Sequence, residues 1–87
     1  MENETRIALI GIIVEAMEAT EQLNHILHDY SDFIIGRMGI PYREKGLSII
    51  SIAMDAPAGK ISSLAGKLGQ ISGLSVKTIY SKAGGNG

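Results

Sequence analysis

Apolar residues recur along this chain with two different periods. Four stretches are short and rich in β-branched residues, which predicts strands, and two stretches repeat their apolar residues every three or four positions, which predicts amphipathic helices. The predicted strands cover residues 5–15, 33–42, 47–54 and 74–80, and the predicted helices cover residues 18–32 and 57–70. The resulting order of elements is βαββαβ.

The two halves of the chain echo each other. Residues 12–16 align with residues 52–56 at an offset of 40, and the predicted helix and strand that follow each segment also correspond. Two interleaved βαβ units define the split ferredoxin-like fold. We therefore expect an α+β, ferredoxin-like sandwich whose four-stranded antiparallel sheet has the order 4-1-3-2, with both helices on one face.

The first and third predicted strands are apolar on both of their faces. Helices cover only one face of such a sheet, so the central strands of a monomer should alternate apolar and polar residues. A second copy of the chain is the simplest cover for the remaining apolar face. The sequence thus predicts a homo-oligomer, a dimer or tetramer, that associates through its sheet, with Ile12 and Ile50 at the interface.

Residues 36–43 contain two glycines and an arginine within a predicted strand. Glycine in a strand indicates a bulge or the close approach of another backbone, and Arg37 on an otherwise apolar strand needs a partner. A subunit contact through Arg37 and Met38 is the favoured interpretation. An irregular edge strand, or an anion site formed by Arg37 with Arg43, remains an alternative.

Composition narrows the possible functions. With 87 residues the chain has room for one domain, expected over residues 1–87 with an ordered core at 5–82 and a flexible tail at 83–87. The absence of cysteine excludes disulfides and thiol catalysis, and the net charge of -1 does not favour nucleic-acid binding. The acidic first residues are unlike a signal peptide, and no apolar run is long enough to cross a bilayer, so we expect a cytoplasmic protein without a membrane partner.

Two loops are candidates for ligand binding. The segment from Asp55 to Lys60 lies at the start of the second predicted helix, where free backbone N–H groups could hold an anion, although Asp55 could equally be a simple helix cap. The corresponding loop of the first half begins at Glu15. The candidate ligand-binding residues are Glu15, Ala16, Asp55, Ala56, Pro57 and Gly59.

His25, His28 and Asp29 have the spacing of a helical metal site. At 100° per residue both imidazoles fall on the polar side of the predicted helix, so a solvated helix face is the favoured interpretation. No metal, cofactor or catalytic residue is predicted, because no nucleophile elbow and no acid and base pair stand out.

Four segments carry a resemblance to a known family: residues 10–15, residues 34–43, residues 48–51, and residues 66–69 together with 73–78. Over residues 5–82 the chain resembles the small single-domain proteins described as regulators of the iron-only hydrogenase system. The resemblance implies an ACT-like domain, similar in fold to the metal-binding domain of the nickel-responsive repressor, that associates through its sheet. The family brings no established catalytic residues, and this sequence lacks the histidine and cysteine ligands of the nickel repressor.

Two functions from different classes follow from that resemblance. The first is a non-enzymatic regulatory module that senses a small molecule or amino acid at a homo-oligomeric interface and acts on a protein partner. The second is an assembly or scaffold subunit in hydrogenase maturation, without a ligand of its own. The sequence does not separate them.

Overall fold

The computed structural model describes residues 4–82. Four strands and two α-helices follow one another in the predicted order: β1 (Arg6–Val14), α1 (Thr20–Asp29), β2 (Ile34–Tyr42), β3 (Leu47–Ala56), α2 (Ala58–Gly69) and β4 (Leu74–Tyr80). All neighbouring strands are antiparallel, and their order across the sheet is β2-β3-β1-β4. The predicted strand order is confirmed. The predicted flexible tail at 83–87 lies outside the described residues.

The core lies between the two helices and one face of the sheet. Every second residue of β1, beginning at Ala8, is buried, and the buried positions of β3 and of both helices join the same cluster. Leu23 and Leu27 of α1 and Leu64 and Leu68 of α2 supply the helical side. Both helices therefore cover a single face of the sheet, as the pattern predicts.

The first helix is shorter than predicted. A 3-10 turn at Met17–Ala19 precedes α1, and a second one at Ser31–Phe33 follows it. The backbone of Tyr30 leaves the helical region at φ -110° and ψ 14°, so the amphipathic pattern continues past the point where regular α-helical hydrogen bonding stops. The apolar pattern indicates which side chains are buried, but it does not indicate where the α-helix ends and the 3-10 turn begins.

The third strand is longer than predicted, with consequences for Asp55. Asp55 and Ala56 still pair with Ile7 and Arg6 of β1. The helix α2 therefore begins later, with Pro57 at the N-cap position and no side-chain cap. The interpretation of Asp55 as a helix cap is wrong, because the strand keeps its carboxylate on the exposed side of the sheet.

One glycine is required by its surroundings. Gly73 has a φ of 91°, and a β-carbon there would lie 2.6 Å from the β-carbon of Ala16. The N–H of Glu15 also donates to the carbonyl oxygen of Gly73 over 2.7 Å. The connection after β1 is thereby held tightly against the connection before β4.

Candidate functional site: the open face of the sheet

The face of the sheet that no helix covers is predominantly apolar. Its aliphatic side chains come from all four strands and are between 39% and 65% exposed; they include Ile7, Leu9, Ile13, Met38, Ile40, Ile49 and Ile79. We call this surface the open face. Its central strands β1 and β3 pair with both of their neighbours, so the side chains form regular rows across the sheet. This is an unusually apolar surface for a small monomer.

The middle of the open face contains a depression. The register places Gly11 of β1 opposite Ser51 of β3 on one side and opposite Lys77 of β4 on the other. Because glycine and serine are small, the side chains of this row rise less above the sheet than those of the adjacent rows, which include Ile13 paired with Ile49. A pocket of about 320 Å³ results, with Gly11 and Ser51 at its floor. We call it the Gly11 pocket.

Polar groups lie at one end of the Gly11 pocket. Ser75 and Lys77 of β4 both line it. The hydroxyl of Ser75 donates to Oε2 of Glu15 over 2.9 Å, so the carboxylate that follows β1 is held against β4. The predicted ligand residue Glu15 therefore lies beside this pocket without lining it.

The structure corrects two of the predicted interface residues. Ile12 and Ile50 are 1% and 6% exposed and belong to the core under the helices. The sequence showed that both faces of the strands are apolar, but it did not show which face the helices take. The aliphatic residues that remain exposed on the central strands are their chain neighbours, such as Ile13 and Ile49.

The two residues predicted to form a subunit contact through β2 lie on opposite faces of the sheet. Met38 is paired with Ser51 and is exposed on the open face. Arg37 is paired with Ile52, a core residue, and its Nη2 donates to Oδ1 of Asn24 on α1 over 2.7 Å. The arginine thus has a partner within its own chain, and the predicted contact through Arg37 with Met38 does not lie on one surface.

The two predicted ligand loops also lie apart. Because β1 and β3 are antiparallel, Glu15 and Ala16 leave the sheet at the end opposite to Ala56 and Pro57. The nine residues of β1 separate these ends by about 27 Å, at about 3.4 Å per residue. Gly59 is exposed in the first turn of α2, and a β-carbon at this position would have no atom within 4 Å. One chain does not bring these loops into a common site.

The helical layer holds a small polar cluster. The Tyr30 hydroxyl and the Ser63 hydroxyl share a hydrogen bond of 2.7 Å, and Nζ of Lys67 lies 5.1 Å from the centre of the Tyr30 ring. The hydrogen bond to Ser63 and, next, the interaction with Lys67 lower the pKa of Tyr30, against the opposing effect of burial. The cluster joins α1 to α2, and it lies apart from the Gly11 pocket.

His25 and His28 are exposed on α1, in agreement with the predicted solvated helix face. Within residues 4–82, no three side chains of the metal-ligating types come together. No helix in that same part of the chain is long and apolar enough to cross a membrane.

The described residues form a small α+β domain in which two helices cover one face of a four-stranded antiparallel sheet. The TM1266-like family, described as "Iron-only hydrogenase system regulator, putative", matches residues 6–78. The chain belongs to this family. The prediction made from the sequence segments is confirmed.

Similar proteins agree with that assignment. The protein TM1266 from Thermotoga maritima has a structure with a TM-score of 0.87 at 40% identity, covering 91% of this chain and all of that one. A "Putative nickel-responsive regulator" of Saccharolobus solfataricus is 36% identical over 83% of this chain. The chain spans about half the length of that curated relative, 53%.

A more distant likeness concerns the fold alone. The ACT domain of a GTP pyrophosphokinase from Chlorobium tepidum has a TM-score of 0.68 at 19% identity and covers 86% of each chain. At this identity the likeness describes the arrangement of strands and helices, and it assigns no ligand.

Sequence reasoning missed the Gly11 pocket, although a signal was present. The segments Ile10-Gly11-Ile12 and Ile50-Ser51-Ile52 each place one small residue between two isoleucines, at the offset of the internal repeat. In antiparallel strands such positions can meet, and here they do. Recognising the depression from the sequence would have required the register of β1 against β3.

Proposed function

We propose that this chain is a regulatory module of the iron-only hydrogenase system, an ACT-like domain of the ferredoxin-like type that senses a small ligand and acts through contacts between its own copies. The observation that carries the proposal is the open face, which leaves aliphatic side chains of all four strands exposed. Family membership supplies the system in which the module acts. Regulation through contacts, and not catalysis, is the role we assign.

Self-association through the open face has a direct physical reason. Burying apolar surface contributes about 25 cal/mol per Å² removed from water. The exposed rows of β1 and β3 are continuous, and a second copy presents the same rows, which a symmetric contact requires. The covering layer is therefore most simply another open face.

Ligand sensing is the finer part of the proposal. Likeness in fold to an ACT domain supports it by analogy. The predicted residues Glu15, Ala16, Asp55, Ala56, Pro57 and Gly59 remain predictions. Because their two loops lie at opposite ends of the sheet, a site that uses both must lie between copies.

A scaffold subunit in hydrogenase maturation, without its own ligand, is the second candidate. The observation that favours it is β2, an edge strand of nine residues of which eight are exposed. Its outer edge and the open face could both receive another protein. In that case the contact partner would be a maturation protein and not a second copy.

One pair of variants tests the proposal. Ile13→Lys places a charge on the open face, where the side chain is exposed, and Met17→Lys places the same charge on an exposed methionine outside the sheet. We expect Ile13→Lys to dissociate the oligomer in sedimentation velocity experiments and Met17→Lys to leave it intact. In cells deleted for the gene, only Met17→Lys and the wild type should restore the normal level of iron-only hydrogenase activity.

Three results would contradict the proposal. A wild-type monomer, or an Ile13→Lys oligomer as stable as the wild type, removes the open face as the self-association surface. Hydrogenase activity that does not respond to deletion of the gene removes the regulatory role. A wild-type monomer that nevertheless restores activity supports the scaffold candidate.

A further inference from the structure

The Gly11 pocket combines an apolar lining, which includes Ile13 and Ile49, with unused hydrogen-bond donors. From these we infer that the open face binds a small monocarboxylic acid with a short, branched apolar body, held by Lys77 and Ser51. This inference rests on the proposed ligand-sensing function and names the chemical class and the place of the ligand. Neither the family description nor the similar proteins assign a ligand to this surface.

The pocket is not a by-product of close packing. A β-carbon at Gly11 would meet nothing nearer than the carbonyl oxygen of Lys77 at 3.9 Å, so neighbouring atoms do not require glycine there. Its backbone also has no positive φ. Glycine within a strand costs stability, of the order of 0.5–1 kcal/mol relative to alanine, and forgoes side-chain packing. Glycine at position 11 therefore leaves the pocket open at some loss of stability.

Two hydrogen-bond donors that line the pocket have no side-chain partner among the described residues. Among residues 4–82, the Lys77 ammonium forms no ion pair or hydrogen bond, and the Ser51 hydroxyl has no side-chain partner. The Ser75 hydroxyl differs, because it already donates to Glu15. Ser51 and Lys77 flank Gly11 from opposite sides, on β3 and β4. A cation and a hydroxyl donor that both line an apolar depression match a carboxylate joined to a hydrocarbon body.

The charge balance favours an acid without an amino group. Lys77 is the single charged residue that lines the pocket, and Glu15 does not line it. A ligand ammonium would therefore lie near Lys77, and the Glu15 carboxylate beside the pocket already accepts a hydrogen bond from Ser75. The anionic head should be the specific part of the ligand, and the body should contact Ile13 and Ile49.

The volume sets the size of the ligand. About 320 Å³ lies at the lower end of the range of about 300–1,000 Å³ that small-molecule sites occupy. In a single chain the pocket opens on the sheet surface, and a second open face packed over it would close it. Ligand binding and self-association would then be coupled through one surface.

The probe for the test is 4-methylpentanoate, compared with its neutral amide, 4-methylpentanamide, and with L-leucine, which adds an ammonium group. We expect saturable shifts of the backbone amide signals of Gly11, Ser51 and Lys77 in nitrogen-15 spectra with the acid. The amide and leucine should each bind at least about tenfold more weakly, since each loses or offsets the pairing with Lys77.

Two variants and one control locate the site. Lys77→Met keeps an unbranched side chain that is one atom shorter and removes its charge, and it should weaken the binding of 4-methylpentanoate about tenfold. Gly11→Val fills the pocket floor and should abolish binding. Gly66→Val adds the same side chain at an exposed glycine of α2, away from the open face and with no atom within 4 Å of its β-carbon, and binding should not change.

The results separate this inference from the proposed function. An oligomer that binds none of the probes, or binds the amide or leucine as tightly as the acid, overturns the inference and leaves the interface standing. Unchanged affinity in Lys77→Met or Gly11→Val also overturns it. A monomer that binds the acid with the expected variant pattern supports the pocket and overturns self-association.

Discussion

The two faces of the sheet carry similar side chains in different surroundings. Under the helices, Ile10 and Ile52 are fully buried, whereas the neighbouring Leu9 and Ile49 stay exposed on the open face. Both faces of β1 and β3 carry aliphatic residues, although the open face also carries Gly11, Ser51 and Asp55. Within residues 4–82 the helices cover only one of these faces. The comparison shows that a strand's apolar residues specify burial without specifying whether the cover comes from the same chain or from another molecule.

The most severe test of this comparison places one charge on each face. Ile12→Lys buries an ammonium in the core and should destabilise the fold by more than about 4 kcal/mol, a large part of the stability of about 5–15 kcal/mol that is typical of a small domain. Ile13→Lys, one residue further, should keep its helical circular dichroism at room temperature. Two variants that unfold equally would show that the open face is as necessary to the single chain as the core.

Side-chain truncation gives a finer measure of the same difference. Ile52→Ala leaves a cavity beneath the helices and should cost about 2–5 kcal/mol in urea denaturation. Ile49→Ala on the open face should cost less than about 1.5 kcal/mol when the protein is dilute enough to be monomeric. The gap should narrow as protein concentration rises, because association would bury Ile49. A gap that does not depend on concentration contradicts burial of Ile49 by a second copy.

The contact between the two helices over the covered face should contribute to the stability of the fold in a pH-dependent way. The Ser63 hydrogen bond and Lys67 lower the pKa of Tyr30 in the folded chain, so the ionised form is favoured by folding. Tyr30 should therefore add stability as pH rises from the folded pKa towards the unfolded value of about 10, and this gain disappears as pH falls through the folded pKa. Relative to the wild type, Tyr30→Phe should lose stability increasingly over that alkaline range, as measured by chemical denaturation. A difference that is constant with pH would show that Tyr30 has its ordinary pKa.

The smallest expected change in the free energy of unfolding is at Asp55, near the C-terminal end of β3 on the open face. Asp55 is exposed in β3 and makes no cap of α2. Asp55→Asn should change the free energy of unfolding by no more than about 0.5 kcal/mol, since exposed substitutions away from special features usually have effects of that size. A loss near 1 kcal/mol, the usual value of a helix cap, would restore the capping interpretation.

The residue patterns were sufficient to predict the order of the elements and the order of the strands in the sheet. The β-branched runs and the spacing of Leu23, Leu27, Leu64 and Leu68 specify the order of elements, and the repeat between the halves specifies the strand order. These features depend on local period and on a few topological rules, which a sequence carries directly.

The candidate functional surface was predicted less well, for physical reasons. Side chains alternate strictly between the faces of a strand, so the choice of Ile12 over Ile13 as an interface residue was a choice between two equally apolar faces. The helices decide between them through long-range packing. The Gly11 pocket depends on the register between strands that are distant in sequence, and Arg37 finds its partner on a helix.

The pairing scheme of the sheet also has a consequence for how the chain folds. The strands β2 and β3 join through a tight turn that ends at Gly46 in the left-handed conformation, so this hairpin can form early from local contacts. The central strand β1, by contrast, pairs only with strands that are synthesised much later, and β4 is the last of them. During translation β1 therefore emerges before either of the strands that pair with its edges, so its backbone N–H and C=O groups gain their sheet partners only after β3 and β4 have been made.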